Sequence, residues 1–180
     1  MNRRLILIVY IFPVMLSCEN SIKEVEAVTS AKQSAQIETS KIVEITYSDS
    51  ALVRAKLYSP ILKHYLTNDP YIEMPIGLRV DFYNKNTVID SRLSAKYGIR
   101  YESRRLVELR NNVIVTNDQG ERLDTEQLNW DEAHQKLYSD KFVKITTPDK
   151  VIYGEGFESN QNFTKYKIFK IKGVVTVKGE

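Results

Sequence analysis

The sequence predicts an all-β fold for most of the chain, and three observations lead to this prediction. From Ile42 onward, β-branched and aromatic residues occur in short runs that are broken by Asn, Asp, Gly and Pro. No window carries a convincing helical stripe, because the nearest candidate, 125–136, fits a strand and a turn equally well. Three of the breaks have the composition of hairpin turns: 84–86, 117–120 and 148–150. A chain of 180 residues has room for one such domain, which we place at 41–180.

An internal repeat indicates how these strands are arranged. At four places an apolar residue is followed two positions later by a small one, and a second apolar strand comes 19 to 22 residues after the apolar residue. The last three units begin 30 and 29 residues apart, whereas the longer first interval contains an additional hairpin at 77–89. The four pairs are Val53/Ala55, Leu93/Ala95, Leu123/Thr125 and Ile152/Gly154, and the second strands are centred on Ile72, Val113, Val143 and Val174. Side chains alternate between the two faces of a strand, so the first residues of all four pairs can face one way.

This pattern predicts a stack of hairpins around a continuous apolar interior. The same pattern would also fit the core of an ordinary β-sandwich, in which small residues only permit tight packing. We expect Gly154 and Gly156 to allow a twist or bulge beside the interior, or else to mark a turn between strands. If the interior is a groove, its candidate lining is Val53, Ala55, Leu93, Ala95, Val113, Val115, Leu123, Val143, Ile145, Ile152 and Val174.

The first 17 residues predict a secretory signal peptide. Arg3 and Arg4 give the positive start, and the apolar run that follows them is shorter than the roughly twenty residues of a membrane-spanning helix. The segment ends at 15–18, Met-Leu-Ser-Cys, which resembles a bacterial lipobox and implies cleavage before Cys18 and acylation of this cysteine. An ordinary leader with an incidental cysteine is the alternative. We expect residues 18–40 to form the lipid anchor and a flexible tether, with a frayed helix as the other reading.

Charge and residue content make several function classes improbable for this chain. Without Arg3 and Arg4 in the leader, 24 of the 26 basic residues remain, against 23 acidic residues. A nearly neutral chain has no general electrostatic attraction for nucleic acid. His64 and His134 are the only histidines, and the single cysteine lies outside the domain, so we predict no metal site. The sequence contains no nucleophile motif or phosphate loop, so we predict no catalytic residues and no cofactor.

Four segments resemble the LptC family of lipopolysaccharide export proteins, in its smaller, lipoprotein-like form. They are Ser94 to Tyr97, then Asn112-Val113 at the opening of a strand, then 120–131, and finally Ile152 to Ser159. The third segment matches the family pattern G-x-x-L-x-T-x-x-L-x-W/Y-D, and the fourth matches its closing G-x-G-hydrophobic element. The order and spacing of the four segments together carry the resemblance, which covers roughly residues 42–178.

The resemblance implies a twisted antiparallel β-jellyroll of two opposed sheets without enzymatic activity. It also implies that the protein lies on the periplasmic side of the inner membrane, takes lipopolysaccharide from the LptB/LptF/LptG transporter and passes it to LptA. We expect the edge near 42–47 to meet the transporter. The expected edge toward an LptA-like bridge is formed by Gly173, Val174, Val175, Thr176 and Val177.

One departure from the better-known family members concerns the leader. Those members use an uncleaved transmembrane helix, whereas this leader resembles a cleavable, lipidated one. The sequence therefore does not decide which membrane holds the anchor, and the outer membrane is the alternative to the inner membrane.

Two rival functions are also compatible with the sequence. One is a structural lipoprotein with a dry β-repeat core, and the other is a carbohydrate-binding or carbohydrate-active lipoprotein, for which the single Trp130 is poor support.

Overall fold

A computed structural model describes residues 36–176, which form eleven β-strands paired antiparallel throughout. The predicted all-β fold is confirmed, and residues 125–136 form the end of one strand, a turn and the start of the next. The strands are β1 (Gln36–Asp49), β2 (Leu52–Leu66), β3 (Tyr71–Met74), β4 (Leu78–Tyr83), β5 (Ile89–Ala95), β6 (Tyr97–Tyr101), β7 (Leu106–Asn117), β8 (Arg122–Asp131), β9 (Lys136–Thr146), β10 (Lys150–Asn160) and β11 (Tyr166–Thr176).

The strands begin earlier than the predicted domain boundary. β1 starts at Gln36, so residues 36–40, which the sequence assigned to the tether, pair with the end of β2. The predicted signal peptide and Cys18 lie outside the described residues, as does Val177 at the other end. The turns at 84–86, 117–120 and 148–150 all connect antiparallel neighbours, as the sequence predicts.

The strands form two opposed layers, because the long strands bend in the middle and contribute one half to each layer. The front layer has the order β1-β2-β4-β5-β7-β8-β9-β10-β11. In the back layer, β3 and β6 lie between β2 and β7 in place of β4 and β5, so the order there is β1-β2-β3-β6-β7-β8-β9-β10-β11. β7, for example, pairs with β6 over 106–110 and with β5 over 114–117. The arrangement agrees with the expected jellyroll of two opposed sheets.

Backbone irregularities at the bend make this change of layer possible. Asn111 and Asn112 of β7 have φ of 63° and 54°, and the pairing of β7 with β8 shifts at this point. Ile42 of β1 and Gly156 of β10 also have positive φ, of 52° and 77°. A β-bulge bends the strand that carries it and increases its twist. The irregular residues thus mark the line along which the sheet folds over.

The core lies between the two layers and follows the alternation of each strand. On β7, Val107, Leu109, Val113 and Val115 are buried, and the residues between them are more exposed. Burying an aliphatic side chain of this size contributes roughly 1.5–3 kcal/mol relative to leaving it exposed. Both halves of each bent strand therefore favour the same two-layer packing.

Candidate functional site

A row of nine directly paired apolar side chains crosses the front layer from one edge strand to the other. Each member lies opposite the next one on the neighbouring strand. The row consists of Ile45, Leu57, Val80, Leu93, Val115, Leu123, Ile145, Ile152 and Val174. We call these residues the apolar row. Directly opposed side chains are close enough to pack against one another, so the row is a continuous apolar strip.

The apolar row is covered in its middle and reaches the surface at one end. The six members from Leu57 to Ile145 have 0% exposure. Ile45 and Ile152 are partly buried and pack against the core, whereas Val174 on β11 is 55% exposed. The strip therefore begins at the β1 edge, runs through the core and emerges at the β11 edge.

Most of the predicted lining residues lie on or beside this row. Leu93, Val115, Leu123, Ile145, Ile152 and Val174 are members of it, although Val174 is at its exposed end. Ala55, Ala95, Val113 and Val143 are buried two positions away on the same strands, and so point to the same face. Val53 is half-buried near the start of β2. Whether any of these side chains contacts a lipid stays a prediction.

The sequence analysis did not include two central members of the row, Leu57 and Val80. Leu57 follows Ala55 by two positions on the same strand, so alternation was a signal for it. Val80 lies in the additional hairpin, whose place between β2 and β7 depends on long-range pairing. No local pattern predicts that place.

Aromatic rings fill the space between the layers. Trp130 of the back layer meets Phe82 of the front layer edge to face, with 5.1 Å between ring centroids. Tyr47 approaches the same indole at 5.5 Å, also edge to face. Trp130 is thus a core residue and not part of an exposed sugar platform. An additional occupant of this part of the interior would have to displace a ring.

The loop between β10 and β11 closes one end of the interior. Phe163 in this loop is fully buried and packs against Phe157 and Tyr166, with ring centroids 5.9 and 5.1 Å away. The sequence analysis did not identify Phe163, whose φ of 53° is unusual for a non-glycine residue. The loop reaches the front layer through side chains rather than a strand ladder. The Asn117 amide donates to the Phe163 carbonyl (2.9 Å), and the Asn162 amide donates to Asp90.

The two edge strands differ in how they are protected against further pairing. Within the described residues, β1 pairs only with β2, and β11 pairs only with β10. β11 carries Lys167, Lys170 and Lys172 in its first part, and charged side chains of this kind hinder edge-to-edge pairing. Its last part, 173–176, carries no charge, and Val174 and Val175 are both exposed. This part of β11 is the least protected edge segment.

The two predicted structural glycines lie within β10. Gly154 is buried between β9 and β11, and a Cβ there would collide with the Ile168 side chain and lie 2.9 Å from the Lys170 carbonyl oxygen. Gly156 has a φ of +77° and lies in the bulge between β10 and β9. Both positions permit an approach or a backbone conformation that a larger residue would oppose. Neither lies in a turn that connects two strands.

An ion pair interrupts the apolar surface of the back layer. Arg100 is paired across from Val107, which in turn lies opposite Trp130, so its side chain shares their face. Its guanidinium donates two hydrogen bonds to Glu132, at 2.8 and 2.9 Å. The first cause of the raised pKa of Arg100 is this hydrogen bonding to Glu132. Burial and then the Glu132 carboxylate raise the pKa of Tyr47, so its hydroxyl stays protonated.

Residues 36–176 contain no candidate metal-binding site. This part of the chain holds no group of three His, Cys, Asp or Glu side chains arranged to bind an ion. His134 instead forms a local contact with Asp131, with 2.7 Å between Nδ1 and the carboxylate.

Comparison with known families confirms the family resemblance that the sequence analysis found. The family described as "Lipopolysaccharide-assembly, LptC-related" matches residues 5–177, which is nearly the whole chain. The chain belongs to the LptC family. A search of curated proteins finds no match to it.

Membership of the LptC family defines the general role of the chain. LptC-family proteins are components of lipopolysaccharide transport associated with the periplasm and the inner membrane. Residues 36–176 include no helix of the length and apolarity that would be needed to cross a membrane.

Proposed function

We propose that this domain holds the acyl chains of lipopolysaccharide between its two layers while the lipid passes from the LptB/LptF/LptG transporter to an LptA-like bridge. The observation that carries this proposal is the apolar row, which runs without interruption from the β1 edge to the β11 edge. A strip that ends at both edge strands can be continued by a similar strip on a protein that pairs with either edge.

The chemistry required is transfer of an amphiphile between apolar surroundings. Withdrawing an acyl chain from water contributes about 0.8 kcal/mol per methylene, so a continuous apolar strip can hold a chain without a specific pocket. The middle of the row is closed by Phe82 and Trp130, so the layers have to separate there when a chain enters. The bulges at Asn111, Asn112 and Gly156 are the places where the bent strands can change their angle.

Handover to the next protein would use backbone pairing at the edges. The uncharged end of β11, with Val174 and Val175, is our proposed contact with an LptA-like bridge. The β1 segment at 42–47 is our proposed contact with the transporter. Strand addition would satisfy unpaired backbone groups and place the partner's interior in line with the apolar row.

Attachment to the membrane is proposed to occur through acyl groups on Cys18. Each buried methylene of such a group contributes about 0.8 kcal/mol, and two or more chains together hold a protein stably at a bilayer. We place the anchor in the periplasmic leaflet of the inner membrane, with an outer-membrane anchor as the alternative. Mass spectrometry of the N-terminal peptide tests this part directly, because an unmodified Cys18 would contradict it.

Photocrosslinking in cells that make lipopolysaccharide tests the lipid path. A photoreactive residue is placed at Leu123, in the middle of the apolar row, and in a second strain at its neighbour Asp124, which points to the other face of β8. We expect a lipopolysaccharide adduct at position 123 and none at 124. Adducts at 124 alone, or at neither position in a folded and membrane-bound protein, would contradict an internal path.

A second candidate function is a scaffolding lipoprotein with a dry core and no lipid ligand. It is favoured by the complete burial of the row from Leu57 to Ile145 and by the rings that fill the interior. This candidate predicts no adduct at Leu123 but a protein–protein crosslink from Val175 on the β11 edge. The lipid carrier predicts both crosslinks, so the experiment at Leu123 decides between the two functions.

A further inference from the structure

A small polar pocket opens between the layers beside β1, next to the apolar row. It has a volume of about 110 Å³, and its walls include Tyr47, Arg54, Arg105, Trp130 and Glu132. Tyr47 follows Ile45 of the apolar row by two positions on β1. Trp130 contacts Phe82, which follows Val80 of the same row by two positions. The pocket is therefore a polar end to an otherwise apolar interior.

Two hydrogen-bond donors of this pocket are buried and lack an acceptor. The indole Nε1 of Trp130 and the guanidinium Nε of Arg54 have no hydrogen-bond partner among residues 36–176. Trp130 is only 2% exposed. Buried donors are almost always hydrogen-bonded, so two donors without partners in one pocket indicate that a bound group supplies the acceptor.

Tyr47 lines the same pocket, and its buried hydroxyl has no partner at hydrogen-bonding geometry among residues 36–176, although the Glu132 carboxylate is close enough to raise its pKa. Because burial and Glu132 raise its pKa, it remains an O–H donor at any physiological pH. Three donors thus line one small space. Its volume of about 110 Å³ compares with about 30 Å³ per water molecule in the liquid, so it can hold a few waters or one small oxyanion.

The charges around the pocket favour an anion. Both carboxylate oxygens of Glu132 accept hydrogen bonds from Arg100, so this acid is already neutralised. Among residues 36–176, the arginines in ion pairs are Arg79, Arg92, Arg100, Arg110 and Arg122. Arg54 and Arg105 are therefore available to an incoming anion. Asp49 also lines the pocket and opposes them with a single negative charge.

We infer that this pocket binds a phosphate group, with Trp130, Arg54 and Tyr47 donating hydrogen bonds to its oxygens and Arg105 contributing charge. The inference rests on the proposed function, since it assigns the pocket to the phosphorylated headgroup of the lipid whose acyl chains follow the apolar row. Phosphate oxygens accept several hydrogen bonds at once and match the fork of an arginine side chain. Free inorganic phosphate shares this chemistry, and the experiment below separates the two sources.

The protein supplies its own probe, because Trp130 is its only tryptophan. Intrinsic fluorescence of the full chain in detergent is followed during titration with three compounds. These are a short-chain phosphorylated glycolipid, its dephosphorylated counterpart and inorganic phosphate. We expect a saturable change with the phosphorylated glycolipid and at least tenfold weaker binding of the dephosphorylated one. A saturable change with inorganic phosphate alone would show that the phosphate group suffices, whereas no such change would show that the attached lipid is required.

Two variants test the arginines against a matched control. Arg54→Gln should weaken the binding of the phosphorylated glycolipid about tenfold or more, because a hydrogen bond to a charged group is lost. Arg105→Gln changes an exposed residue and should weaken binding by a smaller factor, which keeps the test valid if Arg54→Gln does not fold. Arg122→Gln, on β8 like Trp130 but paired with Asp124, should bind as the unaltered protein does.

Three results would overturn the inference: no fluorescence change with any compound, equal responses to the two glycolipids, or equal affinities of the Arg54→Gln and Arg122→Gln proteins. The first result would mean that the pocket holds only water. The lipid carrier function would survive it if Leu123 still forms a lipopolysaccharide adduct, so failure of the phosphate site and failure of the proposed function can be told apart.

Discussion

Phe82 and Trp130 lie on opposite layers of the protein, and their rings meet nearly perpendicularly, at 88°, with 5.1 Å between centroids. Edge-to-face pairs of this kind contribute roughly 0.5–1.5 kcal/mol beyond the area that they bury. The contact holds the two layers together at the point where the apolar row is fully covered. The interior is therefore filled at this position when no lipid is bound. An acyl chain that enters has to break this aromatic contact or begin at an edge of the sheet.

The β10–β11 loop should depend on Phe163 for its closed position. Phe163→Ala removes a fully buried ring, so we expect a loss of about 3 kcal/mol in the free energy of unfolding. Phe169→Ala serves as the control, because Phe169 is exposed on β11, and a change within about 0.5 kcal/mol is expected. Urea denaturation measures both. Equal losses in the two variants would show that burial in the loop is not what stabilises it.

Gly154 should tolerate no larger residue, in contrast to Gly173. Gly154→Ala forces a methyl group against Ile168 and the Lys170 backbone, which should cost about 1–3 kcal/mol in the free energy of unfolding. A Cβ at Gly173 meets no atom within 4 Å, so Gly173→Ala should change stability by less than about 0.5 kcal/mol. Thermal unfolding of both variants provides the measurement. A stable Gly154→Ala protein would mean that β11 can move away from β10.

Removing Glu132 should destabilise the protein, because it leaves the Arg100 guanidinium without its main partner. The side chains are 5% and 19% exposed, so water replaces the lost interaction poorly. We expect Glu132→Ala to cost about 2 kcal/mol, less than the ~3–5 kcal/mol of a fully buried pair. The reduction is expected because Glu102 lies 3.6 Å from the same guanidinium.

Two comparison variants check this prediction for Glu132. Glu158→Ala breaks a surface pair with Lys136 and should have little effect on the denaturation midpoint. The double variant Arg100→Met, Glu132→Leu should recover most of the stability, since an apolar pair of similar volume replaces the ion pair. If the single and double variants are equally unstable, the loss comes from packing and not from an unpaired charge.

Asp90 should make the attachment of the β10–β11 loop sensitive to pH. Burial raises the pKa of its carboxyl above the usual 3.8, so the folded protein holds its proton more tightly than the unfolded chain does. Ionised Asp90 therefore disfavours the folded state at neutral pH. This disadvantage disappears as the pH falls through the raised folded-state pKa, and it is absent below 3.8.

Asp90→Asn should remove this dependence while keeping an oxygen that accepts from Asn162. We expect the variant to be more stable than the unaltered protein at neutral pH, with a difference that shrinks as the solution is acidified toward pH 4. Denaturation midpoints between pH 4 and 7 give the comparison. A constant difference over this range would contradict the pKa shift, and a less stable variant at pH 7 would show that the charged hydrogen bond to Asn162 outweighs burial.

Local alternation explains why the apolar residues of the family patterns share one face of their strand. Leu123 and Trp130 of the G-x-x-L-x-T-x-x-L-x-W/Y-D segment both point into the core, as alternation along one strand requires. The expected hairpin turns follow in the same way from Asn, Asp, Gly and Pro at fixed places. Phe163 and the Arg100–Glu132 pair were not found, because each acquires its role from segments far away in the sequence.

The sequence by itself determined that the chain is all-β, where its hairpins turn, and which side chains of each strand share a face, because turn chemistry and two-residue alternation act within a few residues. Only the tertiary structure decided that nine strands align their apolar residues into one row, that the long strands pass through both layers, and that a polar pocket lies beside β1. These features depend on the register between strands that are distant in sequence. Turn geometry fixes the register within each hairpin, but no single turn connects β2 with β4 or β5 with β7, and these two pairings are fixed by the packing of both layers at once.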